Sequence, residues 1–175
     1  LPTAILLAAP KEPVWLGSSA ATSFATLYVG AGAAAMIGLR AIGWETVLFL
    51  LGIVWAGDSA AYYVGTKLGK RRLAPVVSPK KSWEGFAGSV IFSIAVSIPL
   101  FAIAFGAPWW QAVVFGAIMP VTATAGDFIE SAIKRDLDVK DMSNILPGHG
   151  GLMDRLDSLI PNAFVAWALL GLFLG

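Results

Sequence analysis

The chain has 175 residues, 57% hydrophobic and 13% charged. Soluble domains carry about 25% charged residues, so a soluble globule is excluded, and the expected fold class is all-α: a polytopic transmembrane helical bundle forming one domain over residues 1–175. A net charge of +1 gives no hint of nucleic-acid binding, and the absence of cysteine removes disulfides, thiolate nucleophiles and cysteine-type zinc sites.

Leu1 stands where a start methionine would. The run from Pro2 to Pro10 is too short to cross a bilayer and lacks the basic beginning of a signal peptide. It reads as the tail of a helix that starts before Leu1, in the C-terminal part of a longer protein. A crossing needs about 20 apolar residues, and five windows supply them: 18–39, 44–66, 86–106, 109–130 and 157–175.

The stretch GAGAAAMIG places Gly30, Ala34 and Gly38 four apart, a spacing that lets helix backbones approach closely. Further on, Asp58 interrupts an apolar span, WAGDSAAYYVG. A carboxylate at a helix centre costs about 2.5–3.5 kcal/mol on insertion scales, so Asp58 must face a partner or a water-filled cavity. Tyr62 lies one turn on and shares its face; Lys67 follows nearer the interface.

The next loop carries SPKKSWEG, residues 78–85. Ser78-Pro79 favours an extended or turned entry, and Ser82 with Glu84 suits the start of a helix. Lys80 and Lys81 then precede a helix N-terminus, where free N–H groups also favour anions. A plausible phosphate cradle results, although cytoplasmic lysines often serve only topology. The third and fourth windows meet at a tight Gly106-Ala107-Pro108 turn beside Trp109 and Trp110, an interfacial aromatic anchor.

Polar chemistry is concentrated near the C-terminus: seven of the eleven acids lie between Asp127 and Asp157, with four bases and the only histidine. Asp127, Glu130, Ser131 and Lys134 fall at i, i+3, i+4 and i+7 and share one helical face. Asp154, Asp157 and Ser158 repeat the i, i+3, i+4 pattern at the start of the fifth window. Two helix ends with facing carboxylates can hold a hard cation, and Mg²⁺ commonly takes one or two carboxylates, leaving positions for water and substrate phosphates. Between them, Lys134, Arg135 and Lys140 suit phosphate, and Pro147-Gly-His-Gly-Gly151 allows close backbone approach to a ligand.

Positive charge fixes the sidedness. Lys67, Lys70, Arg71, Arg72, Lys80 and Lys81 fill one loop, and Lys134, Arg135, Lys140 and Arg155 another; five alternating spans put both on one side with Lys11, leaving only Arg40 opposite. By the positive-inside rule that side is the cytoplasm.

The run from Ser131 through Lys134, Arg135, Lys140, Asp141, Ser143, Pro147, His149, Gly150, Gly151, Asp154 and Arg155 to Asp157 closely resembles the C-terminal signature of the phosphatidate cytidylyltransferases of bacterial type, also called CDP-diacylglycerol synthases. The Asp58 helix and the Ser78-Pro-Lys-Lys-Ser82-x-Glu84-Gly85 segment are similar to the same family, so the likeness extends over about residues 55–158. The resemblance implies transfer of the cytidylyl group of CTP to phosphatidate, giving CDP-diacylglycerol and pyrophosphate in phospholipid biosynthesis. It further implies a bacterial inner-membrane enzyme with its site facing the cytoplasm, surrounded by membrane lipid, and a homodimer.

On that basis Asp127, Lys134, Arg135, Asp154 and Arg155 are the expected catalytic residues. Asp127 and Asp154, with Asp157 and Asp141 as weaker candidates, hold Mg²⁺, and a second cation is an option. Substrate binding falls to Asp58, Lys80, Lys81, Lys140, Asp141, His149, Gly150 and Gly151, with His149 as a hydrogen-bond donor or loop organiser and not a base. A CTP-dependent kinase of polyprenols or other lipid alcohols is the rival enzyme. An ion-coupled transporter using Asp58 and Asp127 is the rival of another class.

Overall fold

The computed structural model describes residues 15–75, 78–136, 139 and 153–174. Helices α1 (Trp15–Ile42) and α2 (Trp44–Leu68) are joined at Gly43. There the buried Thr46 hydroxyl donates to the Leu39 carbonyl at 2.6 Å, a second bond to an acceptor that also takes the Gly43 N–H at 3.2 Å, and so ties the start of α2 to the end of α1.

A short ribbon follows that the sequence reading did not foresee: β1 (Arg72–Ala74) pairs antiparallel with β2 (Ser78–Ser82), Arg72 facing Ser82. Glu84 anchors its entry, its carboxylate accepting the backbone N–H groups of Lys70 at 3.1 Å and Arg71 at 3.3 Å. Helix α3 (Trp83–Phe105) opens as its sequence predicts. Ser82 is the N-cap, its hydroxyl oxygen accepting from the Gly85 N–H at 3.2 Å, an arrangement worth about 1 kcal/mol over alanine. Gly106 ends α3 at φ 57°, a left-handed position that glycine takes without strain.

Helix α4 (Trp109–Asp136) returns along α3, and α5 (Met153–Leu156) leads into α6 (Leu159–Leu174). The chain α2–α3–α4 packs in sequence order, while α6 lies against both α1 and α4. Leu39, Leu50, Ile53, Phe101, Met119 and Leu170 lie in the shared core. One face of α3 carries small polar residues a turn apart: Ser89 and Ser93 are buried against Gly57 of α2, and the Ser97 hydroxyl donates to the Ala112 carbonyl of α4 at 2.7 Å.

Among the described residues, four helices are long and apolar enough to cross a membrane: Thr22–Ile42, Trp44–Leu68, Trp83–Phe105 and Trp109–Arg135. Their outward faces carry Leu27, Ile37, Trp55, Ile91 and Ile103, all exposed. The chain is thus an integral membrane protein. The fifth expected span is shorter than its window: α6 has 16 residues, against the crossing requirement of about 20. Alternation through α1–α4 alone already brings the 69–82 segment and the end of α4 to one end of the bundle.

The small-residue stripe is also displaced from its expected face. A Cβ on Gly38 would approach the Trp167 ring to 2.5 Å, so that residue does permit close packing of α1 on α6. Gly30, however, has nothing within 4 Å, and Ala34 is exposed. The packed face runs instead through Gly32, Ala35 and Leu39, with Gly32 set against Ile160.

Candidate active site

A cavity of about 630 Å³ opens at the end of the bundle where the basic segments meet. It lies within the range of about 300–1,000 Å³ usual for small-molecule sites. Five residues singled out from the sequence line it together: Asp58, Lys80, Lys81, Asp127 and Asp157.

Asp58 sits ten residues before the end of α2, so the cavity reaches about 15 Å along that helix at about 1.5 Å per residue. The carboxylate thus faces a cavity that also holds Lys81 and Asp127, as its place in an apolar span requires. Nearer the mouth, α2 and α3 touch backbone to backbone, since a Cβ on Gly85 would meet the Ala61 carbonyl at 2.8 Å and Gly65 Cα at 3.1 Å. Glycine at this crossing brings the helix pair close, and Gly65 and Gly85 line the cavity beside Tyr62, Thr66, Phe86 and Ser89.

The ribbon sets the lysines. Successive strand residues point to opposite faces; Lys81 turns inward, half-buried, while Lys80 stays exposed at the rim. Lys81 Nζ forms an ion pair with Asp127 Oδ2 and stands 5.0 Å from the Phe128 ring centroid. Asp127 also accepts the Ser131 hydroxyl at 3.2 Å, one helical turn on, which fixes its rotamer. Lys81 is therefore a lysine with an anionic partner in place, near the carboxylate expected to bind a cation.

Asp157 lies in the turn between α5 and α6. Burial pushes its carboxyl above the ordinary carboxylate range, and repulsion from Asp127 adds to this, while hydrogen bonding to Glu130 and the Ser158 N–H opposes it. Carboxylates that disfavour each other's charge in one cavity are costly unless a cation joins them.

Lys134 and Arg135 lie beyond this wall, on the last turns of α4. Lys134 Nζ reaches the buried Glu130 carboxylate at 3.0 Å, an i, i+4 pair, so the face it shares with Asp127 is used here for a local ion pair. Asp154 and Arg155 fall in α5, and their side chains lie outside the described residues, as do Lys140, Asp141, His149, Gly150 and Gly151. Arg72, Thr66, Thr124 and Ser158 also line the cavity. The sequence gives Arg72 only a share in the topology charge; in the structure it stands opposite Ser82 in the ribbon and lines the cavity.

The cavity combines oxygen donors from Asp127 and Asp157 with the cations Lys80, Lys81 and Arg72. No three histidine, cysteine or acidic side chains converge into a closed metal cage among the described residues. That donor set suits an ion that keeps open positions for water and phosphate oxygens, as Mg²⁺ does.

The sequence profile of the Cytidylyltransferase family matches residues 3–173. The chain is 42% identical over 168 residues to the phosphatidate cytidylyltransferase of Mycobacterium leprae, covering 95% of this chain and 54% of that protein. Against the enzyme of the same name from Mycobacterium bovis, identity is 40% over 168 residues, 94% of this chain and 54% of the relative. The Bacillus subtilis phosphatidate cytidylyltransferase is 37% identical over 155 residues, 86% of this chain and 58% of its own length. The chain thus spans about half the length of the curated relatives it matches.

Proposed function

Because the chain belongs to the cytidylyltransferase family, we propose that it forms the catalytic part of a phosphatidate cytidylyltransferase, joining CTP and phosphatidate to give CDP-diacylglycerol and pyrophosphate. The observation that carries the reading is one cavity, at the end of an apolar bundle, lined by both the lysines of the 78–85 segment and two carboxylates from the C-terminal part of the chain, Asp127 just before the signature and Asp157 at its end. A lipid phosphate approaches from the membrane, and CTP enters from the water at the same mouth.

In the reaction, an oxygen of the lipid phosphate forms a bond to the α-phosphorus of CTP. The bond from that phosphorus to the bridging oxygen breaks, and pyrophosphate leaves with the electron pair. The second pKa of a phosphomonoester is about 6, so the nucleophile is already anionic at neutral pH and no general base is needed. Lys80, Lys81 and Arg72 hold the triphosphate by charge-assisted contacts. Asp127 and Asp157, with Asp154 from the signature, would hold Mg²⁺. When bound, the ion offsets charge on the α-phosphate and the departing pyrophosphate.

The discriminating assay uses the purified protein in lipid with labelled CTP and phosphatidate, scoring pyrophosphate, CDP and CDP-lipid separately. Equal yields of pyrophosphate and CDP-lipid are expected. Release of CDP with a phosphorylated lipid alcohol would assign the kinase reading, and substrate flux without nucleotide turnover would assign the transporter.

The proposal includes the orientation and the assembly. Residues 67–85 and 131–156 face the cytoplasm of the bacterial inner membrane, with Arg40 and Trp109 near the opposite surface, because eleven of the twelve bases segregate that way. A homodimer remains part of the proposal on family likeness. Since the chain has no cysteine, Arg72→Cys gives a single labelling site, expected to react with a membrane-impermeant maleimide only after the cells are opened. Labelling from outside intact cells would overturn the topology.

A further inference from the structure

Asp157 sits at a break with an identifiable cause. Helices α5 and α6 would run on as one, but Pro161 has no N–H to offer the Asp157 carbonyl four residues earlier, and its ring crowds that carbonyl. The chain turns at Asp157 and Ser158 instead. The Ser158 N–H bonds to Asp157 Oδ1 at 2.6 Å, and the helical ladder resumes with the Asn162 N–H on the Ser158 carbonyl at 3.4 Å.

The released carbonyl has a new partner. From α1, the Tyr28 hydroxyl donates to it at 3.3 Å, across 129 residues of sequence. From α4, Gly126 packs directly against it: a Cβ there would collide with the Asp157 carbonyl oxygen and meet Pro161 Cγ at 2.6 Å. Gly126 immediately precedes Asp127. One backbone carbonyl is therefore where α1, α4 and α6 meet, and the residues flanking that contact are two carboxylates of the cavity wall. Tyr28 itself is not part of that wall.

From this junction we infer that Tyr28 is a positioning residue for the reaction: its hydroxyl, together with the bare face of Gly126, holds the broken turn so that the Asp157 carboxylate keeps its separation and aim relative to Asp127. The inference rests on the reading that these carboxylates hold the divalent cation. Groups that orient metal-binding side chains typically contribute about 10- to 100-fold in metal affinity. Tyr28 acts on a carboxylate through its backbone, so the lower end applies.

The test is Mn²⁺ titration by electron paramagnetic resonance of the purified protein with CTP and no phosphatidate, so that nothing turns over. Tyr28→Phe removes only the hydroxyl and is expected to weaken Mn²⁺ binding about tenfold. It should raise the Mg²⁺ needed for half-maximal turnover by a similar factor, with the KM for phosphatidate unchanged. Gly126→Ala, which forces α4 from the turn, should weaken Mn²⁺ at least as much. Thermal melting in detergent accompanies both variants. Lower melting temperature with unchanged Mn²⁺ affinity in the folded fraction would make Tyr28 a packing residue and overturn the inference. If the wild type binds no Mn²⁺, the metal reading falls first and this one with it; if the wild type binds and Tyr28→Phe binds equally, only the positioning role is lost.

Discussion

Asp127→Asn is expected to cut turnover at least about a hundredfold, equivalent to about 2.7 kcal/mol of barrier, in a protein that still inserts and folds. Asparagine keeps the shape of the side chain, and its carbonyl still accepts from the Ser131 hydroxyl one turn on. What disappears is the charge, which the structure shows engaged with Lys81 in a cavity shared with Asp157. A metal-binding role needs that charge; a packing role does not. Asp154→Asn should behave alike, since Asp154 opens the short helix leading to Asp157 and stands in the signature. Asp138→Asn alters the same charged region outside the signature and should change turnover little. Activity should require Mg²⁺ or Mn²⁺ and be poorly supported by Ca²⁺, whose larger, looser shell fits octahedral phosphate geometry less well. Near-normal turnover by well-folded Asp127→Asn, or full activity in excess chelator, would sink the assignment.

What the sequence could and could not reveal follows from how local each signal is. The Ser82 cap, the Gly106 turn and the four long spans are set by neighbours a few residues apart, and each stands where its pattern puts it. Asp58 and Asp127 were legible as cavity residues because a carboxylate is out of place in an apolar helix: each needs a cavity, and they share one. The stripe in α1 misled because that helix is apolar almost all round, so periodicity does not say which small residues meet protein and which meet lipid. Gly32 and Gly38 are told apart from Gly30 only by Ile160 and Trp167, more than a hundred residues away. The ribbon was missed for a related reason: its strands are short, and its entry is held by Glu84 reaching back to Lys70 and Arg71. Pro161 carried a readable signal, a proline four residues after a signature aspartate. Its consequence depends on Tyr28 and Gly126, which only the folded chain brings to it.

Lys80→Ala/Lys81→Ala should raise the KM for CTP at least about tenfold while changing that for phosphatidate much less. A hydrogen bond to a charged group contributes about 1.5–3 kcal/mol, and about 1.4 kcal/mol corresponds to a factor of ten. The full gross value of two such contacts is not expected, because Lys81 leaves one anion to meet another: Asp127 holds it before CTP arrives. This exchange separates the two lysines. Lys80, exposed at the rim, loses only its phosphate contact, so its single variant should weaken CTP and nothing else. Lys81→Ala also strips Asp127 of its counter-ion, so Mn²⁺ should bind more tightly in the absence of CTP even as CTP binds less well. Salt supplies an independent check, since screening weakens exposed charge contacts; wild-type CTP affinity should fall more steeply with ionic strength than that of the double variant. Unchanged CTP kinetics in a correctly inserted double variant would reduce both lysines to topology signals. A cation affinity that does not rise in Lys81→Ala would mean that the ion pair with Asp127 does not compete with the metal.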